Sequence, residues 1–167
     1  MSTNAPGQLL GFGLQFPRAL FHLLRCGPGD KVSLEVMGDV STVSVDDDVI
    51  IEEDKSSQIS NPISDLSIDL WKTFYNWVNQ ANSKTIDPDK TKFLLYSNKK
   101  GKKGIIDSFN DSKNISEAIA NFEKVKSKFK DLNEDHPIKN YIDFLINNES
   151  LLLKVIVNFE LQTGIGA

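Results

Sequence analysis

Asp39, Glu53 and Lys55 are the residues of this chain whose types and spacing could carry a reaction. An acid, a second acid 14 positions on, and a lysine two further make a minimal set for metal-assisted phosphodiester hydrolysis. Two carboxylates suit a hard divalent cation that keeps waters and phosphate oxygens among its ligands, and the lysine would sit beside the attacking water. Side chains alternate along a strand, so Glu53 and Lys55 point one way while Glu52 and Asp54 point the other. A slip of one residue would present Glu52 instead, and the spacing to Lys55 selects Glu53. Asp39 joins them only from a neighbouring strand, and Asp46-Asp47-Asp48 reads as the turn between the two.

The elements that must position these residues follow from the hydrophobic pattern. Leu14 to about Arg25 predicts a first helix, with Pro17 in its first turn and Gly27-Pro28-Gly29 as its stop. Phe16, Leu20, Leu23 and Leu24 give that helix one apolar face. Gln15 near its start either reaches a neighbouring site or is an ordinary polar helix residue. Val32, Leu34 and Val36 alternate with polar neighbours as a half-buried strand. Gly38 marks a bend, after which Val40–Val45 continue the sheet and Val49–Ser56 return antiparallel. Glu35, four residues before Asp39, either contributes to the same pocket or is a solvated strand residue.

After a polar connection over Ser56–Asn61, Ser64 or Asp65 caps the strongest helix. Leu66, Leu70, Phe74, Trp77 and Val78 form its stripe, widened by Trp71 and continuing to about Ala81, which reads as core packed across the sheet. Thr91–Ser97 suits a buried strand parallel to an earlier one, because a helix crosses over between them. The loop that follows carries Lys99, Lys100, Lys102 and Lys103, either a clamp on phosphate backbone or a solvated loop. The remainder is helical: Asn114 or Ser116 to about Leu132, burying Ile119, Phe122, Val125 and Phe129, then Pro137–Asn147. Leu151–Leu161 reads as a strand after a short helical turn.

At 167 residues with 40% apolar and 25% charged content, the chain is expected to form one globular domain over 8–167 behind a flexible arm over 1–7. No apolar run reaches the length of a membrane span, and the N-terminus lacks the charged region of a secretory signal. The single Cys26 forms no internal disulfide, which fits a reducing cytoplasm. The net charge of −4 runs against a nucleic-acid partner, yet its distribution is uneven. Nine acids stand against two lysines between Asp30 and Lys55, and 13 lysines against nine acids between Lys90 and Lys154. His22 and His136 lack metal-ligand spacing, and His22 beside Leu23 reads as a packing residue. Cys26 has no partner to make it a nucleophile. Gly11-Phe12-Gly13 lacks the strand, third glycine and lysine of a phosphate loop.

The order helix, three strand segments bearing Asp and Glu-x-Lys, long helix, buried strand resembles the PD-(D/E)XK nuclease superfamily. More narrowly, Gly11-Phe12-Gly13-Leu14-Gln15, Leu34-Glu35 with Asp39-Val40, Glu53-Asp54-Lys55-Ser56 and Asp69-Leu70-Trp71-Lys72 look like the double-stranded-DNA endonuclease domain of the CD-NTase-associated protein 4 group of bacterial antiphage effectors. The resemblance covers about residues 8–110, leaving about 114–167 as a helical extension. It implies an α/β, restriction-endonuclease-like mixed sheet flanked by helices, with a helical C-terminal part. It makes Asp39 and Glu53 ligands of Mg²⁺ or Mn²⁺, with the Asp54 backbone carbonyl a further oxygen. Lys55 would orient or help deprotonate the water, and Gln15 would be an accessory residue. The partners it implies are double-stranded DNA, a fused sensor or NTPase domain beyond Ala167, and further copies of the chain in an active homo-oligomer. The close of the sequence just behind an apolar segment points the same way. A non-catalytic binding or oligomerisation domain is the competing expectation, and an RNA nuclease would share the same site.

Overall fold

A computed structural model describes residues 5–56, 61–98 and 102–164, with side chains from Phe12 onward. Helix α1 (Ala5–Leu23) leads into strands β1 (Lys31–Leu34), β2 (Val40–Val43) and β3 (Val49–Lys55). Helix α2 (Ile68–Asn82) crosses to β4 (Thr91–Ser97). Helices α3 (Ile105–Asn110), α4 (Ile115–Phe129), α5 (Lys139–Asn147) and α6 (Glu149–Val157) then precede β5 (Phe159–Thr163). Among the described residues the result is a mixed α/β fold in which six helices accompany a five-stranded sheet of order β1-β2-β3-β4-β5. The β1–β2–β3 meander is antiparallel, and β4 and β5 add in parallel.

The core lies on one face of the sheet. Ile51, Phe93, Leu95 and Phe159 point there and meet Leu70, Trp71, Phe74, Trp77 and Val78 of α2. Phe74 touches Trp77 and Phe109 edge-on with ring centroids 5.4 Å from each. Each such side chain contributes about 1.5–3 kcal/mol on leaving water. Helices α3 to α6 complete the same layer through Phe109, Phe122, Val125, Leu145, Leu152 and Ile156. The segment after residue 114 is therefore part of the core and supplies the edge strand β5, whose Leu161 amide is capped by Asn110 Oδ1 at 2.7 Å.

Several expected boundaries move. Helix α1 begins by Ala5, inside the segment read as an arm, so Pro17 lies in its interior, where it denies the Gly13 carbonyl its helical donor. Strand β1 ends at Leu34, because Glu35 takes a left-handed conformation (φ 56°) and Val36 is left exposed. Helix α2 starts at Ile68 behind Ser67, not at Ser64 or Asp65, which leaves Leu66 outside its stripe. In α4, Asn114 caps as expected by accepting from the Glu117 amide at 3.0 Å, while Ala118 is buried and Ile119, expected in the buried face, is 41% exposed. Val155-Ile156-Val157, read as the centre of a strand, ends α6 instead: burial against α2 and α4 overrides the β preference of branched residues.

Among the described residues, helix α1 covers the opposite face, and it is turned over. The stripe of Phe16, Leu20, Leu23 and Leu24 faces outward, while Gln15 and His22 are buried against the sheet. No described helix is long and apolar enough to cross a membrane.

Candidate functional site

The sheet forks where the predicted residues meet. Strands β2 and β3 pair from Val43↔Val49 to Val40↔Glu52 and then part, whereas β3 and β4 stay paired to Lys55↔Ser97. Residues 53–55 thus have an open edge on the β2 side. Asp39, just before β2, bridges the opening by accepting the Asp54 amide on Oδ2 at 2.7 Å. A strand residue presents its N–H and C=O to the same edge, so the Asp54 carbonyl faces that opening too.

Strand parity divides the acids as the sequence predicted. Glu53 and Lys55 share a side and pair, Nζ to Oε2, at 2.9 Å, both shielded from most solvent. Glu52 points to the other face and is wholly buried. Gln15 donates from Nε2 to Glu35 Oε1 (2.5 Å) and to Asp39 Oδ1 (3.3 Å), so the first helix does reach the acidic group. Glu35 belongs to that group not as a strand residue but at the start of a tight turn, its amide bonded to the Asp39 carbonyl at 3.1 Å. A bulky residue held at positive φ is a strained position of the kind found at functional sites.

The turn 35–39 is pinned from behind. Gln80 of α2 donates to the Met37 carbonyl at 3.1 Å. Gly38 packs directly on β3: a Cβ there would lie 2.7 Å from Ile51 Cγ2 and 2.9 Å from the Glu52 carbonyl oxygen. Only glycine lets Asp39 approach this closely.

Burial, and next the charge of Glu53, push the Asp39 carboxyl above its usual range, against the Asp54 amide and Lys55. A divalent cation would relieve that crowding, and the donor chemistry of two carboxylates and a main-chain oxygen fits a hard ion. Among the described residues, no three His, Cys, Asp or Glu side chains form a group able to hold a metal, so Glu35 does not complete a three-carboxylate cage. Any ion here would rest on Asp39, Glu53 and the Asp54 carbonyl, with waters filling the remaining positions.

Three participants escaped the sequence reading. Arg18 donates to Glu52 through Nε (2.5 Å) and a terminal nitrogen (2.7 Å), reaches Gln162 Oε1 of β5 at 2.9 Å, and lies 4.4 Å from the Tyr96 ring centroid. His22, read as a packing residue, instead shares a hydrogen bond with Glu52 Oε2 at 2.8 Å and is buried by it. Burial alone would raise the Glu52 pKa, but Arg18 and His22 override it and hold the group below its usual range. Asp54 is the third. Its carboxyl oxygens are buried without a hydrogen-bond donor. Burial, then the neighbouring Glu52, push its pKa to about 8. Asp54 is thereby held toward its protonated form, beside a Glu52 held toward its ionised one. The signal for the first two was the spacing of Gln15, Arg18 and His22 at i, i+3 and i+7, a polar helical face as regular as the apolar one.

Of the lysine loop, Lys99 and Lys100 lie outside the described residues, and Lys102 and Lys103 are exposed. The loop leaves β4 at the end where Lys55 sits, since β3 and β4 run in parallel. Cys26 is a free, half-buried thiol whose pKa is raised by burial and by Asp30. Comparison of the chain with protein-family models, curated proteins and solved structures found no match.

Proposed function

We propose that this chain is a metal-dependent endonuclease domain of the PD-(D/E)XK type, cutting double-stranded DNA as the effector part of a bacterial antiphage protein. The observation that carries the reading is the meeting of Gln15, Glu35, Asp39, Glu53 and Lys55 at the fork between β2 and β3. The antiparallel β1–β2–β3 meander extended in parallel by β4 supports a restriction-endonuclease-like sheet.

Asp39, Glu53 and the Asp54 carbonyl would hold Mg²⁺ or Mn²⁺. When bound, the ion would polarise the phosphoryl oxygen, lower the pKa of water and offset charge on the leaving 3′ oxygen. Lys55, held by Glu53 in the absence of substrate, is the cation positioned to orient the attacking water or to donate to the scissile phosphate. Gln15 restrains Asp39 from the helix side and keeps Glu35 against the site. Lys102 and Lys103, with Lys99 and Lys100, are the candidate contacts to the phosphate backbone. A sensor or NTPase domain beyond Ala167 would supply the control that a DNA-cutting effector needs, in the cytoplasm where DNA is met.

Supercoiled plasmid incubated with the full-length natural protein and Mg²⁺ tests the reading, with duplex RNA as a parallel substrate. Nicking or linearisation is expected, abolished by chelation, with Asp39→Ala and Lys55→Ala each costing on the order of a hundredfold or more in rate. Intact plasmid under all metal conditions would leave a non-catalytic binding domain as the better reading, and cleavage of RNA alone would reassign the substrate.

A further inference from the structure

Beyond its last bond to the sheet, α1 leaves part of that face uncovered. Partners across a sheet share a face, so Thr42, Ile50 and Lys92 form a row on the Glu52 side, next to the row of Val40, Glu52 and Leu94. His22 meets Glu52 in the second row, and α1 ends one residue later at Leu23. A cavity of about 340 Å³ opens over the first row, with Ile50 and Leu94 from the sheet and Phe21 from the helix among its apolar lining. That volume falls within the range of small-molecule sites. None of the lining residues belongs to the acidic group at the fork.

Two cations and two carboxylates line the cavity, and the fold uses one of each. Asp30 accepts the Gly27 amide at 2.8 Å and the Val45 amide at 3.2 Å, and Lys92 pairs with Glu160. Arg25 and Asp48 remain. The Arg25 guanidinium lies 3.5 Å from the Phe21 ring centroid and donates to the Phe21 carbonyl at 3.3 Å, which holds it in place without giving it a carboxylate. Among the described residues neither Arg25 nor Asp48 makes an ion pair, although both line the same cavity. Thr42 also lines it, 8% exposed, with a hydroxyl buried without a hydrogen-bond partner. A turn about χ1 exchanges that hydroxyl with the methyl group. His22 uses Nε2 for Glu52, which leaves Nδ1. A wall that holds polar groups the fold does not satisfy favours a ligand that pairs them.

A ligand with one sign of charge would meet a like charge as well as an opposite one, because one cation and one carboxylate are left over. A molecule with both charges and an apolar body suits the whole wall. We propose that this cavity binds a zwitterionic α-amino acid with an apolar side chain. Its carboxylate pairs with Arg25, whose planar fork matches a carboxylate's two oxygens. Its ammonium pairs with Asp48, its side chain lies on Ile50 and Leu94, and Thr42 supplies a hydroxyl to the head group. The site is independent of whether the acidic group at the fork cuts DNA, and binding alone is its readout.

Isothermal titration calorimetry of the full chain with L-leucine and L-phenylalanine is expected to show saturable binding, with Kd on the order of 10 µM to 1 mM for ligands of this size. Glycine lacks the apolar body, N-acetyl-L-leucine the ammonium and L-leucine amide the carboxylate, and each should bind at least about tenfold more weakly than L-leucine. Arg25→Ala and Asp48→Asn should each weaken L-leucine binding by at least about tenfold. Both side chains are exposed, so the melting temperature of the unliganded protein should stay the same. No binding of either amino acid up to about 10 mM, or variants that bind L-leucine unchanged, would overturn the proposal. Binding lost with L-leucine amide alone, or with N-acetyl-L-leucine alone, would overturn it in favour of a simple carboxylate or a simple amine.

Discussion

On the α2 face of the sheet, Ile51, Phe93, Leu95 and Phe159 meet Trp71, Phe74 and Trp77 in a layer with almost no exposure. On the α1 face, Glu52 meets Arg18 and His22, and Arg18 extends to Gln162 and Tyr96. The first face gains stability from area removed from water, which is non-directional and tolerates small rearrangement. The second is directional: two charges lose their hydration to fix one rotation of α1, which on balance adds little stability but holds a unique geometry. That rotation brings the Gln15 amide to Glu35 and Asp39. The apolar layer makes the fold persist, and the polar contact aims it.

Substitutions on either face separate these roles. Phe74→Ala, in the centre of the aromatic layer, should lower unfolding free energy by about 3–5 kcal/mol in urea titration, the largest loss of the set. Arg18→Met leaves Glu52 buried without its guanidinium partner and should cost about 3 kcal/mol. Arg18→Met combined with Glu52→Leu should recover most of that stability yet not the placement of Gln15, so the cycle reads as stability regained without the proposed DNA cleavage regained. If the double variant stays as unstable as Arg18→Met, the contact stabilises the fold and the contrast between the faces fails.

Gly38→Ala forces a methyl group onto Ile51 and the Glu52 carbonyl, and about 1–3 kcal/mol of overpacking is expected. The displacement should appear as a changed chemical shift of the Asp54 amide, whose partner Asp39 is carried by the same turn. The last effect is a gain rather than a loss, and it is one of slope. The Asp54 pKa is raised from 3.8 to about 8, so over that window the unfolded chain has released a proton that the folded chain keeps. This contribution is therefore greatest at low pH and is lost as pH rises toward 8. Asp54→Asn should remove that part of the profile in chelator-treated protein, making the variant the more stable of the two at neutral pH. Parallel profiles for wild type and variant would show that Asp54 is not held protonated.

The sheet was largely legible because its signals are local. Alternation placed Glu53 with Lys55 and turned Glu52 away, and the crossover helix made β4 parallel to β3. The aromatic stripe of α2 was legible for a similar reason, since so much apolar area has one economical place to go. The limits of β1 and α6 were not. Glu35 leaves the strand through its backbone angle, and Val155–Val157 become helical because the layer around them is helical. Glu35 could be written as pocket or solvated strand residue from spacing alone; the structure shows it exposed, outside the strand, and within reach of the Gln15 amide.

By itself the sequence determined which residues share a strand face, because a period of two admits no other arrangement once the strand exists. It determined as well that the first helix has a polar and an apolar side. Which side meets the sheet was decided only by tertiary structure. Periodicity counts faces without orienting them, and Glu52, fully buried on β3, required the cationic and hydrogen-bonding side of α1 as its neighbour.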